Sequence, residues 1–128
     1  MLIDRIQGNI TFGYSNILKT EFKKGHLPSV KKGFYGDDIN VDNVSLEHCK
    51  AKSKGGASVL SNYVLTSKRM NNLRGNDDIR NYFNPKTAQE YLEQFLNVKI
   101  GNIRGKDYIK MILKTLKELG IDFQFKLK

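Results

Sequence analysis

Hydrophobic residues recur at helical spacing in two segments near the carboxyl end of the chain. The first apolar stripe comprises Ala88, Tyr91, Leu92, Phe95 and Leu96. Thr87 and Glu90 fit a capping box at its start, so the pattern predicts a helix over residues 87–97. The second stripe comprises Ile109, Ile112, Leu113 and Leu116. It predicts a helix over residues 107–119, ended by Gly120.

A different period follows this second helix. Ile121, Phe123, Phe125 and Leu127 alternate with polar residues. Strict alternation is typical of a strand with one buried face, so the pattern predicts a terminal β-strand. Each of these stripes has the width needed to pack against a neighbouring element, and we expect them to form the core.

The middle of the chain predicts strand, loop, strand and helix. Residues 41–48 and 64–66 are short strand candidates, and the Gly55-Gly56 pair predicts a turn in the loop between them. Ser67 is a good N-cap for a short helix that would end near Gly75.

The amino-terminal region, residues 1–43, has weaker patterns. There is an alternation around residues 10–14, and turn-prone stretches lie at residues 32–33 and 36–38.

Length and composition favour one folded domain over residues 1–128. A chain of 128 residues with 39% hydrophobic residues can bury a modest core. The single cysteine, Cys49, excludes an internal disulfide and a cysteine-rich structural zinc site. Residues 1–9 lack the features of a signal peptide and no apolar run could span a bilayer, so we expect a soluble, cytoplasmic protein without a membrane partner.

The charge distribution points to a polyanionic partner. Lys and Arg total 22 against 13 Asp and Glu, giving a net charge of +9. Between residues 45 and 76 the only acid is Glu47, and the basic residues there are Lys50, Lys52, Lys54, Lys68, Arg69 and Arg74. We predict that these six cations contact nucleic-acid phosphates, which positions a strand without reading its sequence.

One ordered set of polar residues carries the candidate chemistry. Glu47-His48 ends the first predicted strand, a Ser-Lys-Gly-Gly run occupies the loop, Asn62 precedes the second strand, and Asn71 lies in the short helix. This order, over about residues 44–76, resembles the HNH endonucleases, the ββα-metal or His-Me finger family. Glu47 and His48 would point to opposite faces of a regular strand, so a shared site requires the chain to bend at the strand end.

The resemblance implies both fold and mechanism. It implies an α+β fold in which a ββα-metal unit at about residues 44–76 packs against the carboxy-terminal region, residues 86–128, with its helices and terminal strand. It implies His48 as general base, Glu47 and Asn71 as ligands of Mg²⁺ or Mn²⁺, and Asn62 as the residue that ties the loop together and helps to orient His48.

The expected activity is hydrolysis of DNA to a 5′-phosphate and a 3′-hydroxyl by a monomer or homodimer. Nicking is the simplest outcome, and two nicks by paired copies would break both strands. An RNA nuclease or toxin-type nuclease, and a non-catalytic nucleic-acid-binding module with the same fold, are the alternatives.

Three residues depart from common family patterns. Ser67 and Met70 stand where many members have a cysteine pair for a structural zinc, so no structural zinc is expected. Ala51 replaces a frequent proline, which leaves the shape of the loop open. Glu47 stands in place of the commoner Asp and is longer by one methylene, which would place the metal farther from the strand.

Overall fold

A computed structural model describes residues 16–127 and shows a mixed α+β fold. Its helices are α1 (Ile17–Lys23), α2 (Lys68–Arg74), α3 (Pro85–Glu93) and α4 (Gly105–Glu118). Its strands are β1 (Val44–His48), β2 (Tyr63–Ser67), β3 (Lys99–Ile100) and β4 (Ile103–Arg104). The strands form two separate antiparallel pairs, β1 with β2 and β3 with β4. Single turns of 3₁₀ helix cover Lys52–Lys54, Leu60–Asn62 and Ile79–Asn81.

The β1–β2 hairpin and α2 confirm the predicted order of elements in the middle of the chain. Val44 lies opposite Ser67 and His48 lies opposite Tyr63. The Ser67 hydroxyl caps α2 by accepting a hydrogen bond from the Met70 amide at 3.2 Å, and the helix gives way to Gly75 at φ +53°. The helix packs against both strands of the hairpin.

The first strand starts three residues later than predicted. Asn40 and Asn43 form a turn, because each side-chain oxygen accepts a hydrogen bond from the other's backbone amide, at 2.7 and 3.0 Å. Asparagine side chains compete with strand pairing for backbone groups in this way. Turns were predicted at residues 32–33 and 36–38, but the structure has one turn between them, at residues 34–36. A β-bridge between Lys32 and Asp38 flanks this turn.

Two buried tyrosines fasten the helices α3 and α4 to the outer edge of β2. The Tyr91 hydroxyl accepts a hydrogen bond from the Leu65 amide at 3.0 Å, and the Tyr108 hydroxyl donates to the Tyr63 carbonyl at 2.7 Å. The two hydroxyls lie 2.8 Å apart. Among residues 16–127 no further strand pairs with this edge of β2, and the two hydroxyls satisfy its backbone atoms and cover it.

The boundaries of α3 and α4 differ from the predicted ones. Asn84 caps α3 by accepting hydrogen bonds from the amides of Lys86 and Thr87, and the helix ends at Glu93, so the capping box predicted at Thr87 is wrong. The Asn-Pro pair explains the earlier start, because proline favours the first helical position. The second helix begins at Gly105, where a Cβ would lie 1.7 Å from the Phe95 carbonyl oxygen.

The predicted terminal strand is absent from the described residues. Residues 121–127 pair with no strand, although Ile121, Phe123 and Phe125 still turn toward the core. Phe123 packs on Phe83 with ring centroids 5.5 Å apart, and the Gln89 amide holds the Lys126 backbone by two hydrogen bonds of 2.7 and 3.0 Å. The alternation of apolar and polar residues correctly predicted which side chains face the core. It could not predict whether a neighbouring strand would pair with this segment.

Two further expectations concern the rest of the chain. The alternation predicted at residues 10–14 lies outside the described residues. Within residues 16–127, none of the helices combines the length and apolar character that a bilayer crossing requires.

Candidate active site

The candidate site lies where β1 ends beside α2. Glu47, His48 and Asn71 line one open cleft of about 300 Å³, together with Lys52 from the following loop. We call it the Asn71 cleft. Glu47 and His48 therefore border the same cleft although they are neighbours in a strand.

Arg74 holds the end of β1 in place. Its guanidinium donates to the carbonyl oxygens of His48 at 2.6 Å and Cys49 at 2.9 Å, and to that of Asp77 at 2.8 Å. It also lies 3.3 Å from the Glu47 carboxylate, and both side chains are only 2% exposed. The prediction that Arg74 contacts phosphate is therefore wrong, because all of its donors point into the protein.

Glu47 is a buried carboxylate with one cationic partner and one hydrogen-bond donor. Its Oε2 accepts a hydrogen bond from the Tyr35 hydroxyl and pairs with Arg74. Burial raises the pKa of Glu47, while the hydrogen bond from Tyr35 and the charge of Arg74 oppose that rise. Burial and the adjacent carboxylate also raise the pKa of Tyr35, so its hydroxyl stays protonated and donates.

Asn71 presents an oriented amide to the cleft. Its Nδ2 donates to the Ser45 hydroxyl at 2.7 Å and to the Leu46 carbonyl at 3.1 Å. A carbonyl can only accept, so the amide nitrogen must face the strand. Asn71 also lines the cleft, so its amide oxygen is the atom that could accept from a hydrogen-bond donor or bind a cation.

His48 is positioned by Ser58 and Tyr63. Its Nε2 lies 3.1 Å from the Ser58 hydroxyl, and its ring packs on that of Tyr63 with centroids 4.7 Å apart. Partial burial lowers the pKa of His48, and the nearby charges of Lys52 and Arg74 lower it further. The imidazole is therefore mainly neutral at pH 7, which is the form that can accept a proton.

Asn62 organises the loop but does not contact the His48 ring in the structure. Its side-chain oxygen accepts from the Lys50 amide at 2.9 Å, and its Nδ2 donates to the carbonyls of Lys50 at 3.1 Å and Ala57 at 2.9 Å. Its backbone carbonyl also accepts from the Cys49 amide at 2.8 Å. Asn62 was expected to tie the loop together and to help orient His48. Its side chain does make the loop contacts, but the hydrogen bond to the His48 ring is made by Ser58.

The remaining predicted cations lie on the surface. Lys50, Lys52, Lys54, Lys68 and Arg69 are all exposed. Of these, Lys52 lines the Asn71 cleft, and Lys50 lines a separate cleft together with Asn62. All five remain available to a ligand in solution, in contrast to Arg74.

The sequence reasoning missed Tyr35, Ser58 and Tyr63. Tyr63 directly follows Asn62, and a serine ten residues after a histidine carries no recognisable motif. Tyr35 contacts Glu47 from a turn twelve residues earlier. No periodicity or spacing rule would have selected any of them.

Glu47 and Asn71 are the residues of the cleft that could hold a divalent ion. The described contacts of the Glu47 carboxylate involve Oε2, and Glu47 and Asn71 both line the cleft, so a carboxylate and an amide are the oxygen-bearing groups they offer there. Carboxylate and amide oxygens are hard ligands of the kind that Mg²⁺ and Mn²⁺ take, with water and phosphate completing the shell. Within the described part of the chain, no cluster of three or more His, Cys, Asp or Glu residues offers a more conventional metal site.

Comparison with protein-family models, curated proteins and solved structures returned no match for this chain. The resemblance to HNH nucleases therefore depends on the motif residues and on where the fold puts them.

Proposed function

We propose that this protein is a metal-dependent endonuclease of the HNH type that hydrolyses DNA, with residues 44–76 acting as a ββα-metal unit. The observation that supports this most directly is the convergence of Glu47, His48 and Asn71 on one cleft, from the end of a strand and from the helix that follows the hairpin. An acid, a base and an amide are the groups that phosphodiester hydrolysis requires in this family.

His48 acts as the general base. In the tautomer with the ring proton on Nε2, the Nε2–H group donates a hydrogen bond to the Ser58 hydroxyl. Nδ1 then has a free lone pair that can accept a proton from the attacking water. The lowered pKa of His48 keeps this lone pair free near neutral pH. Packing against Tyr63 limits rotation of the ring, so the acceptor is held in one direction.

Glu47 and Asn71 hold the metal. When bound, a divalent ion would offset negative charge on the phosphate and on the leaving oxygen. Arg74 and Tyr35 fix the Glu47 carboxylate through Oε2, and this carboxylate would supply one ligand to the ion. Ser45 and the Leu46 carbonyl fix the Asn71 amide through Nδ2, and its oxygen would supply another.

The first test is nicking of supercoiled plasmid by purified protein in Mg²⁺ or Mn²⁺, with a chelator control. His48→Ala should reduce the rate about 10²–10⁴-fold, the usual cost of losing a general base. His26→Ala is the matched control, because His26 is the only other histidine, and its side chain is 57% exposed. Near-parental nicking by His48→Ala would remove that residue from its assigned role.

The same assay separates the alternative activities. Digestion of RNA at least as fast as DNA would favour an RNA nuclease or a toxin-type nuclease. Binding of nucleic acid with no cutting in any divalent metal would favour a non-catalytic binding module.

A second test concerns the metal. Asn71→Ala removes one oxygen ligand and should raise the Mg²⁺ or Mn²⁺ concentration needed for half-maximal nicking, because few protein ligands are present. Asn97→Ala, at an exposed asparagine after α3, is the control. Titration calorimetry with Mn²⁺ provides a measurement that does not depend on cutting. An unchanged metal affinity in Asn71→Ala would contradict the ligand assignment.

A further inference from the structure

A second groove, larger than the Asn71 cleft, runs between α1 and β1. It has a volume of about 460 Å³, and its lining includes Asn16, Lys19, Lys23, Ser45, His48 and Tyr63. We call it the α1–β1 groove. Its described lining contains two cations and several hydrogen-bonding groups but no acid.

The face of α1 that borders this groove is positively charged. Lys19 and Lys23 are four residues apart and therefore project from the same side of the helix. Leu18 and Phe22 are buried on the side facing the core. The one acid of the helix, Glu21, is turned elsewhere: its carboxylate lies 3.3 Å from the His26 ring and accepts a hydrogen bond from the Gly101 amide at 3.1 Å.

His48 joins this groove to the proposed catalytic site. It is the residue that lines both the α1–β1 groove and the Asn71 cleft. Lys19 and Lys23 line the groove that His48 borders, and Lys52 lines the cleft that His48 also borders. A polyanionic chain that followed the groove and the cleft past His48 would meet cations in each.

We propose that the α1–β1 groove binds the backbone of the nucleic-acid strand on one side of the scissile phosphate, with Lys19 and Lys23 contacting consecutive phosphates. The inference rests on the proposed function, since it uses His48 to mark the position of the reaction. Lysine ammonium groups act as point charges, so they hold the strand without reading bases. Because His48 borders both the groove and the Asn71 cleft, an occupant of the groove would lie beside the proposed reaction centre, which favours a nucleic-acid strand over an acidic protein segment.

The experiment measures binding without cutting. A fluorescein-labelled 20-nucleotide single strand, and the duplex made from it, are titrated in EDTA at several salt concentrations and followed by fluorescence anisotropy. Lys19→Gln/Lys23→Gln is compared with Lys110→Gln/Lys114→Gln, which removes two exposed lysines at the same spacing on α4. A Lys19→Arg/Lys23→Arg variant keeps the charge.

Each phosphate contact contributes about 0.7 to the slope of log affinity against log salt for single strands and about 0.9 for duplex DNA. Lys19→Gln/Lys23→Gln should therefore flatten the slope by about 1.4 to 1.8 and weaken unrelated sequences equally. The α4 variant and the arginine variant should keep the parental slope.

The outcomes separate this inference from the proposed function. If the lysine effect appears in a protein that never cuts, the groove binds the nucleic-acid backbone as inferred, but the nuclease proposal fails and with it the placement of the groove beside a scissile phosphate. If the parent cuts and Lys19→Gln/Lys23→Gln binds like the α4 variant, the groove proposal is overturned and the nuclease stands. If the groove variant loses affinity for poly-glutamate while nucleic-acid binding is unaffected, the groove serves a protein partner and the proposal is also overturned.

Discussion

Replacing Arg74 with methionine should destabilise the protein more than any other single change of a basic residue in the hairpin region. The substitution keeps most of the side-chain volume but leaves the buried Glu47 carboxylate without its cation. It also removes the donors to the carbonyls of His48, Cys49 and Asp77. Removing one partner of a buried ion pair typically costs about 3–5 kcal/mol. That is a large share of the roughly 5–15 kcal/mol that stabilises a small domain.

The measurement is urea unfolding followed by far-UV circular dichroism. Arg74→Met should lower the free energy of unfolding by about 3–5 kcal/mol. Arg69→Met, at an exposed position of the same helix, should change it by less than about 0.5 kcal/mol. Because Glu47→Gln removes the charge that would otherwise be stranded, Arg74→Met should cost less in that background.

Two results would refute this account. If Arg74→Met were within about 1 kcal/mol of the parent, the guanidinium would not hold the strand end as the contacts indicate. If its cost were unchanged by Glu47→Gln, the loss would come from the carbonyl contacts alone and not from the ion pair.

Two further predictions concern the loop after β1 and the titration of the base. Asn62→Ala should lower the free energy of unfolding by about 1–3 kcal/mol in the same assay, since it removes three hydrogen bonds made by a buried side chain to the backbone of the loop; an unchanged midpoint would contradict this. Lys52→Gln should raise the pKa of His48, because the Lys52 charge lowers it. The neutral base is lost as pH falls through that pKa, so the acid limb of a pH–rate profile for plasmid nicking at low salt should move to higher pH. Lys54→Gln is the control, and coincident profiles for Lys52→Gln and the parent would contradict the prediction.

The local order of elements around the site followed from the sequence alone. Ser67 is a residue type that caps helices and Gly75 one that ends them, and both act within a few residues of their own position. The apolar stripes of α3 and α4 likewise predicted which faces would be buried. These features depend on local backbone geometry and on the spacing of apolar side chains, and both can be inferred from short stretches of sequence.

The tertiary structure decided which polar groups are partners. The charge distribution along the sequence predicted that Arg74 is a surface cation that contacts phosphate. In the structure Arg74 is buried beside Glu47, where a buried carboxylate requires a cation. Residues 121–127 have the alternation of a strand, but the hydroxyls of Tyr91 and Tyr108 already cover the outer edge of β2. Lys19 and Lys23 come near His48 only because α1 packs against β1. Such pairings join residues far apart in the chain, so no local spacing rule contains them, and the fold alone brings them together.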